Sequence, residues 1–283
     1  MKKYREQIMK IVFIISAGIS ILAVLLICFF LFANGIPALS EIGLFKFLGG
    51  TVWRPQNDLY GIFPMILGSI YVTVGAIIIG VPLGILMAIF LAYFCPPKIY
   101  HVFKPAVDLL AGIPSVVYGF FGLMVIVPSI RLLFGGNGNS MLAASIILGI
   151  MILPTIISIS EAAILAVPRT YYDGSLALGA SHERSVFFTV VPAAKSGILA
   201  SVILGIGRAI GETMAVIMVA GNQAVIPTSL LAGLRTLTAN IVLEMGYATD
   251  LHREALIATA VVLFIFILII NLSFQIIKRK SKI

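Results

Sequence analysis

The run Ser196–Ala220 reads SGILASVILGIGRAIGETMAVIMVA and places an arginine and a glutamate inside an apolar segment. As a membrane-spanning helix rising about 1.5 Å per residue, it puts Arg208 near the bilayer midplane. Insertion scales assign a charged residue there a cost of roughly 2.5 to 3.5 kcal/mol, so Arg208 should be paired or functional. Glu212 follows one turn later on the same face, where a salt bridge to Arg208 is predicted. The segment therefore predicts a span whose small, polar face borders an internal pathway.

The composition of the whole chain supports a membrane protein. Of the 283 residues, 60% are hydrophobic and 11% are charged, against about 25% charged in soluble domains. The net charge of +8 comes from basic residues that flank apolar runs, which favours the lipid bilayer as partner and argues against nucleic acid. The scattered histidines and the two cysteines predict no metal site and no disulfide framework. We expect no catalytic residue and no cofactor.

Five more apolar runs surround the opening segment. They are a first span from Ile11 to Phe32, within an N-terminal segment 1–35, and further spans at Ile62–Cys95, Val107–Pro128, Met141–Val167 and Glu254–Ile277. Thirteen lysines and arginines fall on one side of this arrangement and five on the other, which predicts that both termini are cytoplasmic. The fold class predicted is an all-α membrane protein of six transmembrane helices. It forms one domain, 1–283, with spans two to six in a core, 62–277.

The longest inner segment, 168–195, predicts two short helices outside the membrane. Thr170 and Asp173 have the spacing of a capping box that opens a helix through Leu178. Gly179 can end that helix, and Ser181 can cap a second one. Its apolar side chains would be exposed without a partner. The residues alone leave two interpretations open, a connector on the bilayer surface and a docking site.

This segment resembles the cytoplasmic coupling loop of ABC-transporter permeases. The family pattern is Glu-Ala-Ala, three residues, Gly, nine residues, Ile, any residue and Leu-Pro. Asp173-Gly174-Ser175 stand at the first three positions, Gly179 matches the glycine, and Val191-Pro192 match the closing pair, while Thr189 replaces the isoleucine. The resemblance implies a type I ABC-importer permease fold in which 168–195 docks on an ATPase.

A wider resemblance covers most of the chain. The runs LAGIPSVVYG (110–119), GRAIGETMA (207–215) and GYATDLHREA (246–255) look like the C-type permeases (PstC) of phosphate ABC importers. The paired A-type subunit (PstA) shares the central motifs and remains an alternative. The resemblance implies a non-enzymatic, multi-pass subunit of the bacterial cytoplasmic (inner) membrane. Its implied partners are a second permease subunit, two ATP-binding subunits that hydrolyse ATP, and an external phosphate-binding protein.

Four residues are candidates for the substrate pathway. Arg208 supplies a guanidinium that matches phosphate oxygens in bidentate fashion. Glu212 is hypothesised to accept a hydrogen bond from protonated phosphate and to repel sulfate. Ser115 and Tyr118, just after Pro114, are either hydroxyl donors to the pathway or helix-packing groups.

Other interpretations remain open at this stage. Arg208 and Glu212 can instead join helices without touching substrate. The transported anion can be sulfate or molybdate. An ATP-independent carrier is a further alternative, against which the coupling-loop spacing argues.

Overall fold

The structure is a computed structural model that describes the backbone of residues 2–280 and the side chains of 6–273 and 276. The thirteen lysines and arginines predicted on the inner side of the membrane include Lys2, Lys3, Arg5, the basic residues 278–280 and Lys282. These named residues lie outside the described side chains.

The described chain is almost entirely helical, with one two-stranded antiparallel ribbon that pairs Trp53 with Tyr60. In chain order the elements are α1 (Lys2–Ile42), α2 (Leu44–Gly49), β1 (Trp53–Arg54), β2 (Leu59–Tyr60), α3 (Phe63–Ile89), α4 (Pro97–Gly112), α5 (Ser115–Phe121), α6 (Val127–Phe134), α7 (Met141–Leu165), α8 (Arg169–Ala177), α9 (His182–Ser185), α10 (Val191–Ala193), α11 (Lys195–Gly211), α12 (Met214–Val219), α13 (Leu237–Glu244) and α14 (Asp250–Lys280). Three π-helical turns continue α3, α5 and α9, at Phe90–Phe94, Gly122–Ile126 and Val186–Val190.

Five helical stretches among the described residues are long and apolar enough to cross a membrane. They are Glu6–Ile42, Phe63–Phe94, Ser115–Phe134, Met141–Leu165 and Asp250–Ser273. A sixth exists if His182–Ala193 and Lys195–Gly211, bent by 69°, count as one span. The chain is therefore a multi-pass, all-α membrane protein with five or six spans.

The third span begins later than the sequence predicted. Residues 107–112 belong to α4, which also includes most of the connection between the second and third predicted spans. The span proper starts at Ser115, because the backbone is extended at Ile113 and Pro114, with ψ angles of 127° and 143°. Proline disfavours the helical conformation at the residue before it, which explains the break.

The prediction of one continuous helix from Ser196 to Ala220 is wrong. Helix α11 ends at Gly211, the backbone at Glu212 is extended with ψ 134°, and α12 begins at Met214. The apolar pattern continues across the break, so hydropathy does not reveal it.

The core of the bundle is the contact between α3 and α7. Glycines on α3 allow this approach: a Cβ built on Gly80 would lie 2.8 Å from the carbonyl oxygen of Gly149 on α7. Gly84 packs in the same way against Ile156, which also contacts Gly205 of α11. Small residues at such positions let membrane helices approach closely where the hydrophobic effect does not drive association.

We predict that Gly80→Ala destabilises the protein. The added methyl group meets α7 backbone and Ile152 at under 3 Å, and overpacking of this kind costs about 1–3 kcal/mol. Thermal unfolding of the purified protein in detergent measures the loss. Gly18→Ala is the matched control, because a Cβ at Gly18 meets nothing within 4 Å; equal melting temperatures for the two variants would contradict the packing argument.

Candidate functional site

Arg208 lies in the last turn of α11, half-buried, next to the point where the helix ends. Within the described part of the chain, its side chain makes neither an ion pair nor a hydrogen bond. The predicted salt bridge to Glu212 is wrong, because the helical spacing that would bring the two together stops at Gly211. The guanidinium therefore keeps its donors for another group.

Glu212 holds the break in this span. Its Oε1 accepts a hydrogen bond from the amide of Ala215 at 3.2 Å, which caps the start of α12. Its own carbonyl oxygen, freed from helical bonding, accepts from the Thr238 hydroxyl at 3.0 Å. A side chain that bonds nearby backbone offers the chain an alternative to a continuous helix.

A second broken span packs against the first. Tyr118, on α5, is buried, and its hydroxyl donates to the carbonyl oxygen of Leu110 at 2.8 Å, across the break at Pro114. Helix α5 lies against α12, where a Cβ on Gly119 would come within 2.9 Å of the Ala215 Cα. The two breaks thus adjoin one another beside the free guanidinium.

Ser115 and Tyr118, the two hydroxyl candidates for the pathway, differ in their burial and in their hydrogen bonding. The Tyr118 hydroxyl already donates to Leu110, which matches the helix-packing interpretation. Ser115 opens α5 and is half-buried.

The segment 168–195 has the helix–glycine–helix form predicted from its sequence. Gly179 has φ +85°, a conformation that glycine adopts without steric cost. Its amide and that of Ala180 donate to the carbonyls of Leu176 and Ser175, closing the end of α8. Ser181 caps α9 by accepting from the Arg184 amide at 3.3 Å. The predicted capping box at Thr170 is wrong, because Pro168 occupies the N-cap position and Thr170 lies inside the first turn.

Ser175 joins the two short helices of this segment. Its hydroxyl contacts those of Ser185 at 3.0 Å and Thr189 at 3.4 Å. Asp173, Gly174 and Pro192 are exposed, and Val191 is half-buried. The apolar side chains of Leu178 and Phe188 are 92% and 77% exposed. An exposed apolar patch of this kind on a preformed backbone is typical of an interaction surface.

A buried polar network around Glu161 was missed in the sequence. Glu161 of α7 is 2% exposed. It accepts from the Tyr100 hydroxyl at 2.9 Å and pairs with Lys104 at 3.0 Å. Lys104 also pairs with Asp108 at 3.3 Å. Burial lowers the pKa of Lys104, but hydrogen bonding and the charge of Glu161 outweigh it and the net pKa is raised. A glutamate at the end of an apolar run needs a cation, which is the signal that could have found this pair.

A second network was also missed; we call it the outer polar network, after the side of the membrane that the lysine and arginine count predicts for it. Glu244 at the end of α13 is buried and receives three donors. Trp53 Nε1 and His252 Nε2 lie 2.8 and 2.9 Å from its Oε2, and Arg235 forms an ion pair with its Oε1. Arg235 also donates to the Asn240 side chain at 2.9 Å. This outer polar network ties together the β-ribbon, α13, α14 and the segment that follows α12.

The chain is similar in sequence to known transport proteins. Residues 80–283 match the family model described as binding-protein-dependent transport system inner membrane component. Among curated relatives, a probable ABC transporter permease protein, YqgH, of Bacillus subtilis is 41% identical over 90% of this chain and 86% of its own length. The phosphate transport system permease protein PstC of Mesorhizobium japonicum is 37% identical over 85% and 80%.

Solved structures show the same fold. A chain of the MetNI methionine ABC transporter, solved in an inward-facing conformation, superposes with a TM-score of 0.59 at 20% identity, over 81% of this chain and 99% of that one. A chain of an amino acid ABC transporter solved with histidines gives a TM-score of 0.57 at 20% identity, over 77% and 93%. At this identity the likeness concerns the fold alone.

Substitutions at Glu212 test its capping role. Glu212→Ala removes the acceptor for the Ala215 amide, and we expect a loss of about 1 kcal/mol of stability. Glu212→Gln keeps a side-chain oxygen and should retain most of it. Thermal unfolding of the two purified variants is the measurement. Equal losses would contradict the cap and indicate that the charge itself stabilises the fold.

Proposed function

The chain belongs to the family of binding-protein-dependent transport system inner membrane components, and from this premise we propose that it is the permease subunit of an ATP-driven phosphate importer. Relatives described as phosphate transport permeases of the PstC type match most of the chain at 30–37% identity. They support the C-type over the A-type subunit. In such an importer, the permease subunit conducts the substrate and partner subunits hydrolyse ATP.

The proposed topology has six spans with both termini in the cytoplasm. The bent pair that ends in α11 is taken as the fifth span, which gives an even number. The distribution of lysine and arginine, thirteen against five, sets the orientation. The segment 168–195 then lies in the cytoplasm, and the outer polar network faces the external side.

The proposed partners follow from the exposed surfaces and the family description. The external partner is a substrate-binding protein. A second permease subunit completes the pathway, and two ATP-binding subunits hydrolyse ATP, one of which docks on Leu178, Phe188 and the turn at Gly179. The position of Ser175 supports this proposal, because Ser175 lies on α8 and accepts hydrogen bonds from Ser185 and Thr189 on the second helix, which joins the two helices across the turn.

The observation that carries the substrate proposal is the free guanidinium of Arg208 beside two broken spans. Irregular backbone at membrane depth is tolerated only where it is buried in protein or lines a cavity. An arginine at such a place suits a phosphate, because its planar group presents paired donors and stays charged at all working pH values. One carboxylate oxygen of Glu212 accepts the hydrogen bond from the Ala215 amide. The other oxygen can accept a hydrogen bond from protonated phosphate and repel sulfate.

We predict that Arg208→Lys lowers phosphate uptake by at least about tenfold, since a charge-assisted, bidentate contact contributes roughly 1.5–3 kcal/mol. Uptake of radiolabelled phosphate into vesicles, with assembly checked by co-purification of partner subunits, is the measurement. Arg131→Lys, at the exposed end of α6, is the matched control and should transport normally.

The same uptake assay decides between substrates. Inhibition of uptake by sulfate or molybdate as strong as that by unlabelled phosphate would contradict a phosphate-specific pathway. Full uptake by Arg208→Lys in an assembled complex would contradict the role of the guanidinium.

We further predict that Leu178→Ser weakens binding of the ATP-binding subunits by about tenfold or more, because burying a leucine side chain contributes about 1.5–3 kcal/mol. Co-purification and ATPase titration against the isolated ATP-binding subunits measure the loss. Leu230→Ser, which is 61% exposed in the outer segment, is the control. Transport that continues without any ATP-binding subunit would instead indicate an ATP-independent carrier.

A further inference from the structure

A cavity of about 530 Å³ opens on the outer side of the molecule, above the outer polar network. We call this cavity the outer pocket. Trp53, Tyr60 and Tyr247 form its aromatic walls, Asp58 and Asp250 line it as well, and Glu244 lies among its lining residues. None of these residues belongs to the broken spans near Arg208, so the outer pocket is distinct from the proposed substrate pathway.

The pocket is preformed. Glu244 is 7% exposed, and its carboxylate is held by Trp53, His252 and Arg235. The ring of Trp53 packs edge-on against Tyr60, with centroids 5.7 Å apart. A site whose walls are fixed before binding loses little entropy when a ligand enters.

Two carboxylates in the pocket are free to meet a ligand. Asp58 and Asp250 are exposed and form no ion pair within the described residues. They come from different parts of the chain, one from the β-ribbon and one from the start of α14. Together with Glu244 they give three negative charges against the two positive charges of Arg54 and Arg235.

Two tyrosines that line the pocket have pKa values raised first by burial and second by neighbouring carboxylates. Burial raises the pKa of Tyr60, and the nearby carboxylate of Asp58 raises it further. Burial also raises the pKa of Tyr247, with Glu244 adding to the rise against an opposing effect of Arg235. An anion such as phosphate is disfavoured in this pocket, whereas a cation is attracted.

We infer that the outer pocket receives a lysine or arginine side chain of the external binding protein, an inference that rests on the proposed function. A basic side chain combines an apolar stem with a charged head. The exposed ring of Tyr247 suits the stem, and the carboxylates of Asp58 and Asp250 accept hydrogen bonds from the charged head. Charge complementarity of this kind increases the association rate and fixes the orientation of the partner.

The pocket is linked to the break in the fifth span. Arg235 donates from Nε to the carbonyl oxygen of Asn222 at 3.0 Å, and the Asn222 side chain donates to the carbonyl oxygen of Ile217 in α12 at 2.8 Å. Docking at the pocket therefore acts on residues that contact the half-helix beyond Glu212.

The test compares two double variants in the full complex, reconstituted in nanodiscs with its own binding protein. Asp58→Asn with Asp250→Asn removes both free carboxylates. Both positions have left-handed backbone, with φ 53° and 46°, which asparagine tolerates well. Glu6→Gln with Glu254→Gln is the control, because it removes two carboxylates that do not line the pocket.

We expect the pocket variant to bind the phosphate-loaded binding protein about tenfold more weakly, mainly through slower association, and with a smaller dependence on salt. The control variant should bind as the wild type does. Basal ATPase activity should be equal in all three. Equal affinity and equal salt dependence for the pocket variant and the control would overturn the inference.

The wild-type complex separates this inference from the proposed function. If the phosphate-loaded binding protein fails to stimulate its ATPase activity, the proposed function is wrong. If stimulation occurs and is unchanged in the pocket variant, the importer stands and the docking pocket is wrong. Charge reversal by Asp58→Lys and Asp250→Lys should abolish the stimulation.

Discussion

Backbone hydrogen bonding at the broken spans is the constraint on which the rest of the structure depends. Each unpaired backbone group in hydrocarbon costs several kcal/mol, so a membrane helix can break only where other groups replace its bonds. Here Tyr118 bonds Leu110 across one break, while Thr238 and the Glu212 carboxylate bond the other. Thr238 belongs to α13, which explains why an outer helix must pack down onto α12. The close α3–α7 contact supplies the rigid core that holds these elements in register.

The same constraint explains the position of the free arginine. Arg208 lies in the last turn of α11, where the negative end of the helix dipole favours a cation. The break at Glu212 thus shortens the helix to a length that places the guanidinium at a helix end instead of at a helix centre. A salt bridge along the helix would have neutralised the arginine; the capping role of Glu212 leaves it available.

Apolar runs and turn residues predicted much of this fold, but only where local signals decide the structure. The fourth span and the left-handed turn at Gly179 follow from composition and from glycine geometry. The break at Glu212 depends on a hydroxyl contributed by Thr238, which no local pattern reveals. The pairs Lys104–Glu161 and Arg235–Glu244 join different segments of the folded chain. The sequence shows such charges without their partners. Their positions depend on helix packing that hydropathy does not encode.

The shortness of α11 bears on how the protein is made. Its 17 residues extend about 25 Å at 1.5 Å per residue, less than the hydrocarbon thickness of about 30 Å, and they end beside a charge. Such a segment is a poor substrate for independent partitioning from the translocon into lipid. The helix packs against α7 through Gly205 and Ser201, so we expect its insertion to depend on the presence of α7. We therefore expect cooperative biogenesis, in which the fifth segment enters the bilayer only together with the helices synthesised before it.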